Sequence, residues 1–528
     1  MPTRSTWIEH KFAGGWATDF GPTYYGSVGQ DGQMAIPFLL NARNIIYEFD
    51  GGPHKAPGTI KYNAATLGAT SDIRGVYDYW RQGTGGSPVQ KLIACTDTRI
   101  VQGDVSGNSF TNLFTGLGAT GVPQFSTFDD ILIIGFDSIA DVPRSWDGTT
   151  AQNLAGSPPR FSFSVSHKNR QWAAGNYALP SRLYYSANVD PEDWTGVGSG
   201  SIDINPNDGD MITGLVSHKD NLIVFKGPNI GSIHRISGSS PTGSDAFAVI
   251  PFISGVGAHW INSIFRYGDD IGFLGITGAI HSLTATLNFG DFTQSYLSYP
   301  IGSWLRDNVS LTRARYIWAA NDPVNSRIYI TFTQPGATSN NAVLVMDYRF
   351  LLQGERYPRW ALWDNISFGS MGMIIDTNRK KRVFMGGYTG YVYKGDQVSR
   401  SIDGTSISMQ VTTPFLTYGD EWREKTISAA ALNIRPYNNN NITFGWQRDL
   451  NTSQSQTVTQ GGGVLLDTFL LDTDILGSSK FIPRFLDLEL GGQFRAIQYD
   501  ITDSANNSDL ELHTFAARII EGSESTEN

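Results

Sequence analysis

The chain reads as an all-β protein: a β-propeller of six to eight blades, seven by count, followed by a C-terminal β-sandwich. Three observations predict this. Glycine supplies 58 of 528 residues and aromatics 12%, while charged residues reach only 17%. Strong helix formers are therefore scarce, and strand and turn formers abundant. A strand–turn–strand phrase returns about every 40 to 55 residues between positions 71 and 400, the period of four-stranded blades. Beyond 400 the phrase gives way to longer strand runs separated by Asn, Ser, Thr and Gln.

Residues 1–70 do not repeat and form an N-terminal arm with first strands. They hold "FAGGWATDFGP" (Phe12–Pro22) and "NARNIIYEFDGGPHKAPGT" (Asn41–Thr59), where a strand over Ile45–Phe49 runs into an Asp-Gly-Gly turn. The arm carries Trp7, Phe12, Trp16, Phe20, Tyr24 and Tyr25, more aromatic surface than a short segment buries by itself. It is expected to pack against a neighbouring subunit, a ring above, or its own propeller.

The repeats occupy 71–400. They begin with "IRGVYDYW" and "KLIACTDTRIVQGDV" (Ile73–Val105), "FSTFDDILIIGF" with "PRSWDG" (Phe125–Gly148), and "FSVSHKNRQWAAGN" with "RLYYSANVDPEDW" (Phe163–Trp194). "SHKDNLIVFKGPNIGSIHRI" (Ser217–Ile236) and "FRYGDDIGFLGITGAIHSL" (Phe265–Leu283) follow. "RARYIWAANDPVNSRIYITF" with "AVLVMDYRF" (Arg313–Phe350) and "SMGMIIDTNRKKRVFMGGYTGYVYKGD" (Ser370–Asp396) complete the series. Each phrase has a strand, a short polar turn, an apolar strand, a Gly or Asn turn and a closing strand. One such unit cannot bury both faces of its sheet, but units stacked round an axis can.

Residues 401–520 read as a sandwich of about seven strands. Its candidates include "GVLLDTFLL", "RFLDLELGG" and "FRAIQYDITDS". "EWREKTISAAAL" (Glu421–Leu432) carries a helical alternative, but its strand neighbours favour a strand from about Lys425. The tail 521–528, "EGSESTEN", is expected to be disordered.

The single cysteine, Cys95, excludes an internal disulfide and a multi-thiolate metal site, and reads as a buried strand residue. "MPTRSTWIEHKF" lacks the apolar region of a signal peptide, and no apolar run reaches membrane-spanning length. Folding in a reducing cytoplasm is the expectation. The net charge of −10 argues against a protein that grips nucleic acid. The one basic run, "NRKKR" (Asn378–Arg382), reads as a solvated hairpin turn.

Motifs that carry chemistry are scarce. There is no phosphate-binding loop of the P-loop type and no His-Glu-x-x-His helix. His234 and His281 hold matching positions in two repeats, read as repeated packing ahead of a shared metal site. "DINPNDGD" offers Asp203, Asn205, Asn207, Asp208 and Asp210 as calcium ligands. It has Asp208 where an EF-hand loop needs its glycine and Gly214 where it needs glutamate, so an Asx-rich loop is the competing reading. "SANVDPEDW" (Ser186–Trp194) superficially resembles the Asp-box of propeller glycosidases but lacks its Asp and Gly positions. No catalytic, cofactor or metal residue is therefore assigned, and an enzyme is not expected.

The segment Asn41–Thr59 after its "GG-W" spacer, and "NRQWAAGNYALPSRLYYSANVDPEDWTG" with "GDMITGLVSHKDNLIVFKGPNIGSIHRI", resemble bacteriophage virion proteins. Among these are the tail nozzle, or tail tubular (tail hub), proteins of short-tailed phages. The resemblance spans about residues 5 to 400. It implies a homo-oligomeric ring, usually sixfold, in the virion tail and assembled in the host cytoplasm. Such a ring meets adaptor proteins and tail fibres or spikes, and passes genomic DNA without specific binding. An acidic chain suits a conduit, since it repels the passing duplex. A receptor-binding or carbohydrate-active propeller component of the tail is the alternative.

Overall fold

The computed structural model describes residues 5–524 except 13, 25–32, 69–71, 84, 106–108, 119–120, 291–292, 420, 437–439, 461–481, 487–491 and 507. The strand candidate "GVLLDTFLL", Tyr25, the middle of "RFLDLELGG" and the end of the tail lie outside the described residues.

The protein is a β-propeller joined to a β-sandwich. Six compact sheets begin at Gly75, Pro123, Phe163, Met211, Ile264 and Ser370. A seventh group of four strands, starting at Trp318, forms one end of an eleven-stranded sheet. In chain order they are blades one to five, the Trp318 group as blade six, and the Ser370 sheet as blade seven. Strands starting at Gly75, Pro123, Phe163 and Met211 neighbour one another in turn. Those at Ile264, Trp318 and Ser370 do likewise, and the Ser370 strand returns to Gly75. Separate apolar clusters fill the gaps between successive blades. Tyr79, Ile93, Leu132 and Trp146 join blades one and two, and Trp172, Leu183, Leu215 and Val224 join blades three and four.

The recurrent polar turns have a backbone reason. Asp129–Asp130 and Lys168–Asn169 each hold two successive positive φ angles, 49° and 62°, then 46° and 57°. That is the two-residue hairpin geometry whose twist matches its strands, and Asn and Asp tolerate it best among residues with a side chain. The apolar run between such turns, Ile131–Phe136, is buried along nearly its whole length, as a strand covered by blades on both faces must be.

The ring closes with a strand from far upstream. Gly58–Lys61 pairs antiparallel with Val392–Gln397 as the outer strand of the seventh blade. The described strands within residues 1–70 are therefore built into the sandwich and the propeller, and do not stand apart as an arm. Ser5–Phe12 lies between Gln33–Ile36 and the last strand, Leu510–Glu524, in the sandwich. Asn41–Arg43 pairs with Met409–Thr412 of the sandwich and touches the outer strand of blade six, Arg359–Asp364. The expected boundaries at 70 and 400 thus separate stretches of sequence that share sheets. Such pairings join residues hundreds of positions apart, and local patterns carry no trace of them.

"EWREKTISAAAL" is strand from Arg423 onward, part of Arg423–Pro436, paired along most of its length with the last strand. That last strand runs to Glu524, so residues 521–524, expected in a disordered tail, continue the sheet. Short helices are few among the described residues. One, Leu283–Phe289, follows the three-stranded fifth blade and is capped by the Ser282 hydroxyl. None of the described helices is long and apolar enough to cross a membrane.

Candidate functional site

The loop singled out for calcium has an internal cation. Lys226, at the end of an apolar strand, is fully buried. Its ammonium donates to Asp208 Oδ2 at 2.6 Å, to the carbonyls of Ile204 and Asn205 at 2.8 and 2.9 Å, and to the Ser181 hydroxyl at 3.1 Å. The other carboxylates are engaged as well. Asp203 forms a two-pronged pair with Arg182, and Asp210 accepts the backbone N–H groups of Asn229, Ile230 and Gly231. A divalent ion among these oxygens would lie beside an ammonium group and would have to displace the donors that already occupy them.

The two matched histidines stay in separate blades. His234 meets the Ser232 hydroxyl at 2.9 Å, and His281 stacks on Phe273 at 5.2 Å. Both are buried, and burial followed by the Lys226 charge holds His234 below its ordinary value. Among the described residues no three His, Cys, Asp or Glu side chains gather as metal ligands would. "SANVDPEDW" is a turn whose Asp190 and Asp193 carboxylates accept nearby backbone N–H groups, while Trp194 packs on Phe161. "NRKKR" is the expected hairpin turn. Burial disfavours the Asp376 charge, but the Lys380 N–H, Arg382 and Lys394 hold its carboxyl down to about 2. Cys95 is buried and burial raises its thiol, so it is not a reactive thiolate.

A charge cluster ties the two domains. His54 contacts Glu48 through Nδ1 at 2.5 Å and Asp509 through Nε2 at 2.7 Å. Arg400 pairs with the same Asp509 at 2.8 Å, and beneath them Lys55 and Asp503 form a fully buried pair at 3.3 Å. Burial opposes the His54 charge, but the hydrogen bonds to Asp509 and Glu48 prevail and raise its pKa.

The concave site lies where the inner strands begin, on the propeller axis. Loops of blades six, seven, one and two surround a 120 Å³ cavity lined by Asp72, Arg74, Val122, Arg313, Tyr316, Trp318, Thr338, Ser339 and Tyr388. Arg315 reaches across the ring to Asp137 of blade two at 3.5 Å, and Tyr177 of blade three donates its hydroxyl to the same carboxylate. Arg313 and Arg315 both lie over the Tyr316 ring, at 4.6 and 4.7 Å. Deeper along the axis a 290 Å³ space is walled by Tyr77, Phe125, Ile264, Trp318 and Met371, so Trp318 borders both cavities. No local motif marks this site, because its residues come from two distant stretches of the chain, Asp72 to Val122 and Arg313 to Tyr388.

No protein-family model and no curated protein matches the chain. Among solved structures, Raptor from Chaetomium thermophilum aligns at 11% identity and a TM-score of 0.40, over 66% of this chain and 29% of that one. The chain thus spans under a third of that protein. BBS1N, solved in complex with ARL6DN, aligns at 6% identity and a TM-score of 0.38, over 65% of this chain and 97% of that one.

Proposed function

We propose that the protein is a structural subunit of a bacteriophage tail that closes with copies of itself, six by resemblance, into a nozzle or hub ring round the path of the ejected DNA. The observation that carries this reading is the position of the segment on which the resemblance to tail proteins rests. Asn41–Thr59 runs from the sandwich, along blade six, to the strand that closes blade seven. A segment in that place ties the sandwich to the propeller through strand pairing, a link that suits a ring subunit under load.

The conduit in this reading is the space enclosed by the ring, not the propeller axis. An axial space of only 290 Å³, walled by Tyr77, Phe125, Ile264, Trp318 and Met371, admits no duplex, whose major groove alone is about 12 Å wide. A closed ring needs two different faces that fit each other. Exposed apolar side chains occur on both domains, with Trp422 and Leu450 on the sandwich and Ile139 and Val197 on the propeller. The net charge of −10 suits a wall that does not retain DNA.

The test is the mass and the negative-stain image of the purified protein, alone and with its tail partners. Rings of six 57.9 kDa chains with an open centre support the proposal, and Trp422→Glu should reduce them to monomers. Trimers, or monomers that never join a tail particle, overturn it.

A further inference from the structure

We propose that the axial mouth of the propeller binds an acidic sugar, with the sugar's carboxylate between Arg74 and Arg313 and its ring against Trp318. The inference does not depend on the oligomeric role. Both guanidinium groups are half-buried in the wall of the 120 Å³ cavity. Neither forms an ion pair within 4 Å among the described residues. Their contacts are long: Arg74 to the Gly121 carbonyl at 3.5 Å, and Arg313 to the Thr333 hydroxyl at 3.4 Å. Arginine held at a cavity wall with unfilled donors is suited to a planar carboxylate, which it can bind through two parallel hydrogen bonds.

Charge selects a monoanion. Arg315 is engaged by Asp137, which leaves Arg74 and Arg313 against the single carboxylate of Asp72. Among the lining residues two guanidinium groups thus face one carboxylate, an excess that a monoanion neutralises and a phosphate dianion exceeds, and Asp97, within electrostatic reach of Asp72, weighs further against a dianion. Polarity selects a hydroxylated skeleton. Thr338 and Ser339 make no side-chain hydrogen bond among the described residues, and the Tyr388 hydroxyl accepts the Asn340 N–H, leaving its own proton to donate. Trp318 supplies a flat apolar wall between this cavity and the deeper space, and at 120 Å³, below the roughly 300 Å³ of drug-sized pockets, the site is sized for one small sugar held at its mouth.

The experiment is isothermal titration of the full chain with D-glucuronate, D-glucose, acetate and inorganic phosphate. The expected order is glucuronate tightest, acetate at least tenfold weaker, and glucose and phosphate undetected. Arg74→Gln and Arg313→Gln should each weaken glucuronate at least tenfold without changing the melting temperature. Asp72→Asn, which removes the competing charge, should tighten it at least threefold. That gain separates a ligand site from a structural role, because a general loss of packing cannot produce it. Failure of folded wild-type protein to bind glucuronate overturns the proposal. So does binding that survives both arginine changes, or phosphate bound as tightly as glucuronate.

Discussion

The Lys226 ammonium sits 2.6 Å from Asp208 at the bottom of a loop rich in oxygen ligands, with its side chain fully buried and Asp208 only partly so. A side chain of the adjacent blade thus occupies the role that a metal ion plays in loops of similar composition. Lys226→Met should cost about 3 kcal/mol, because it leaves a carboxylate and two carbonyls without their donor. Calcium or EDTA should not move the melting temperature of the wild-type protein. A rise of several degrees with millimolar calcium would mean that the ion displaces the lysine and that the loop is a metal site.

His54 bridges Glu48 and Asp509, and its pKa lies above the ordinary 6.5. The folded state therefore holds its proton more tightly than the unfolded chain. The resulting stability is complete below pH 6.5 and is lost as pH rises through the raised value. Glu48 and Asp509 work in the other direction. Hydrogen bonding to His54 is the largest cause holding Glu48 below 4.5. Asp509 is held below 3.8 against the burial that opposes it. Their contribution is present above those values and lost as pH falls through the lowered ones. The cluster is thus most stabilising between about pH 4.5 and 6.5. His10, held at about 4 by burial, has the opposite slope to His54, so the comparison must be between variants. His54→Gln should flatten the decline of stability above pH 6.5 in urea unfolding. A variant whose pH profile parallels the wild type would show that His54 carries no extra proton in the fold.

Gly58 opens the strand that closes the seventh blade. A Cβ there would lie 1.9 Å from the Ser399 carbonyl oxygen and 2.4 Å from that of Ser401. Both obstacles are backbone, so no rotamer relieves the clash. Gly58→Ala should destabilise the propeller by about 3 kcal/mol, the upper end of overpacking costs, and should preferentially expose Val392–Gln397 to hydrogen exchange. Exchange unchanged in that strand would show that the closing strand is dispensable.

The propeller was legible because each blade is local. Hairpins such as Phe128–Ile131 announce themselves through paired Asp residues, and buried strands such as Ile131–Phe136 through unbroken apolar runs. What joins distant positions was not legible. Nothing near Ser5–Phe12 indicates Leu510–Glu524 as its partner, and nothing near Asp203–Asp210 indicates that Lys226 points into it. The axial mouth was invisible for the same reason. Arg74 lies in the lead-in to a strand and Arg313 in the short helical turn Leu311–Tyr316, and only closure of the ring makes them neighbours of one cavity.

The first strand tests the distinction between an assembly arm and a structural strand. Ser5–Phe12 is an interior strand of the sandwich sheet, in register with the last strand from Ser5 opposite Ile520 to Lys11 opposite Thr514. Ile8 and Phe12 point into the core with Trp16, and the His10 Nδ1 meets the Phe515 carbonyl at 3.0 Å beneath the Tyr418 ring. Removing residues 1–30 takes away three large apolar side chains worth about 1.5–3 kcal/mol each. Their sum approaches the whole stability of a typical domain. It also leaves the last strand with an unpaired edge, an invitation to aggregation. The truncated chain should therefore lose the sandwich itself. Limited proteolysis should cut within 401–524 while the blades survive, and soluble yield should fall. A truncated chain that stays soluble, resists protease and keeps its near-ultraviolet circular dichroism, yet no longer forms rings, would reverse the conclusion. The segment would then serve assembly, and the pairing with the last strand would contribute little to the fold.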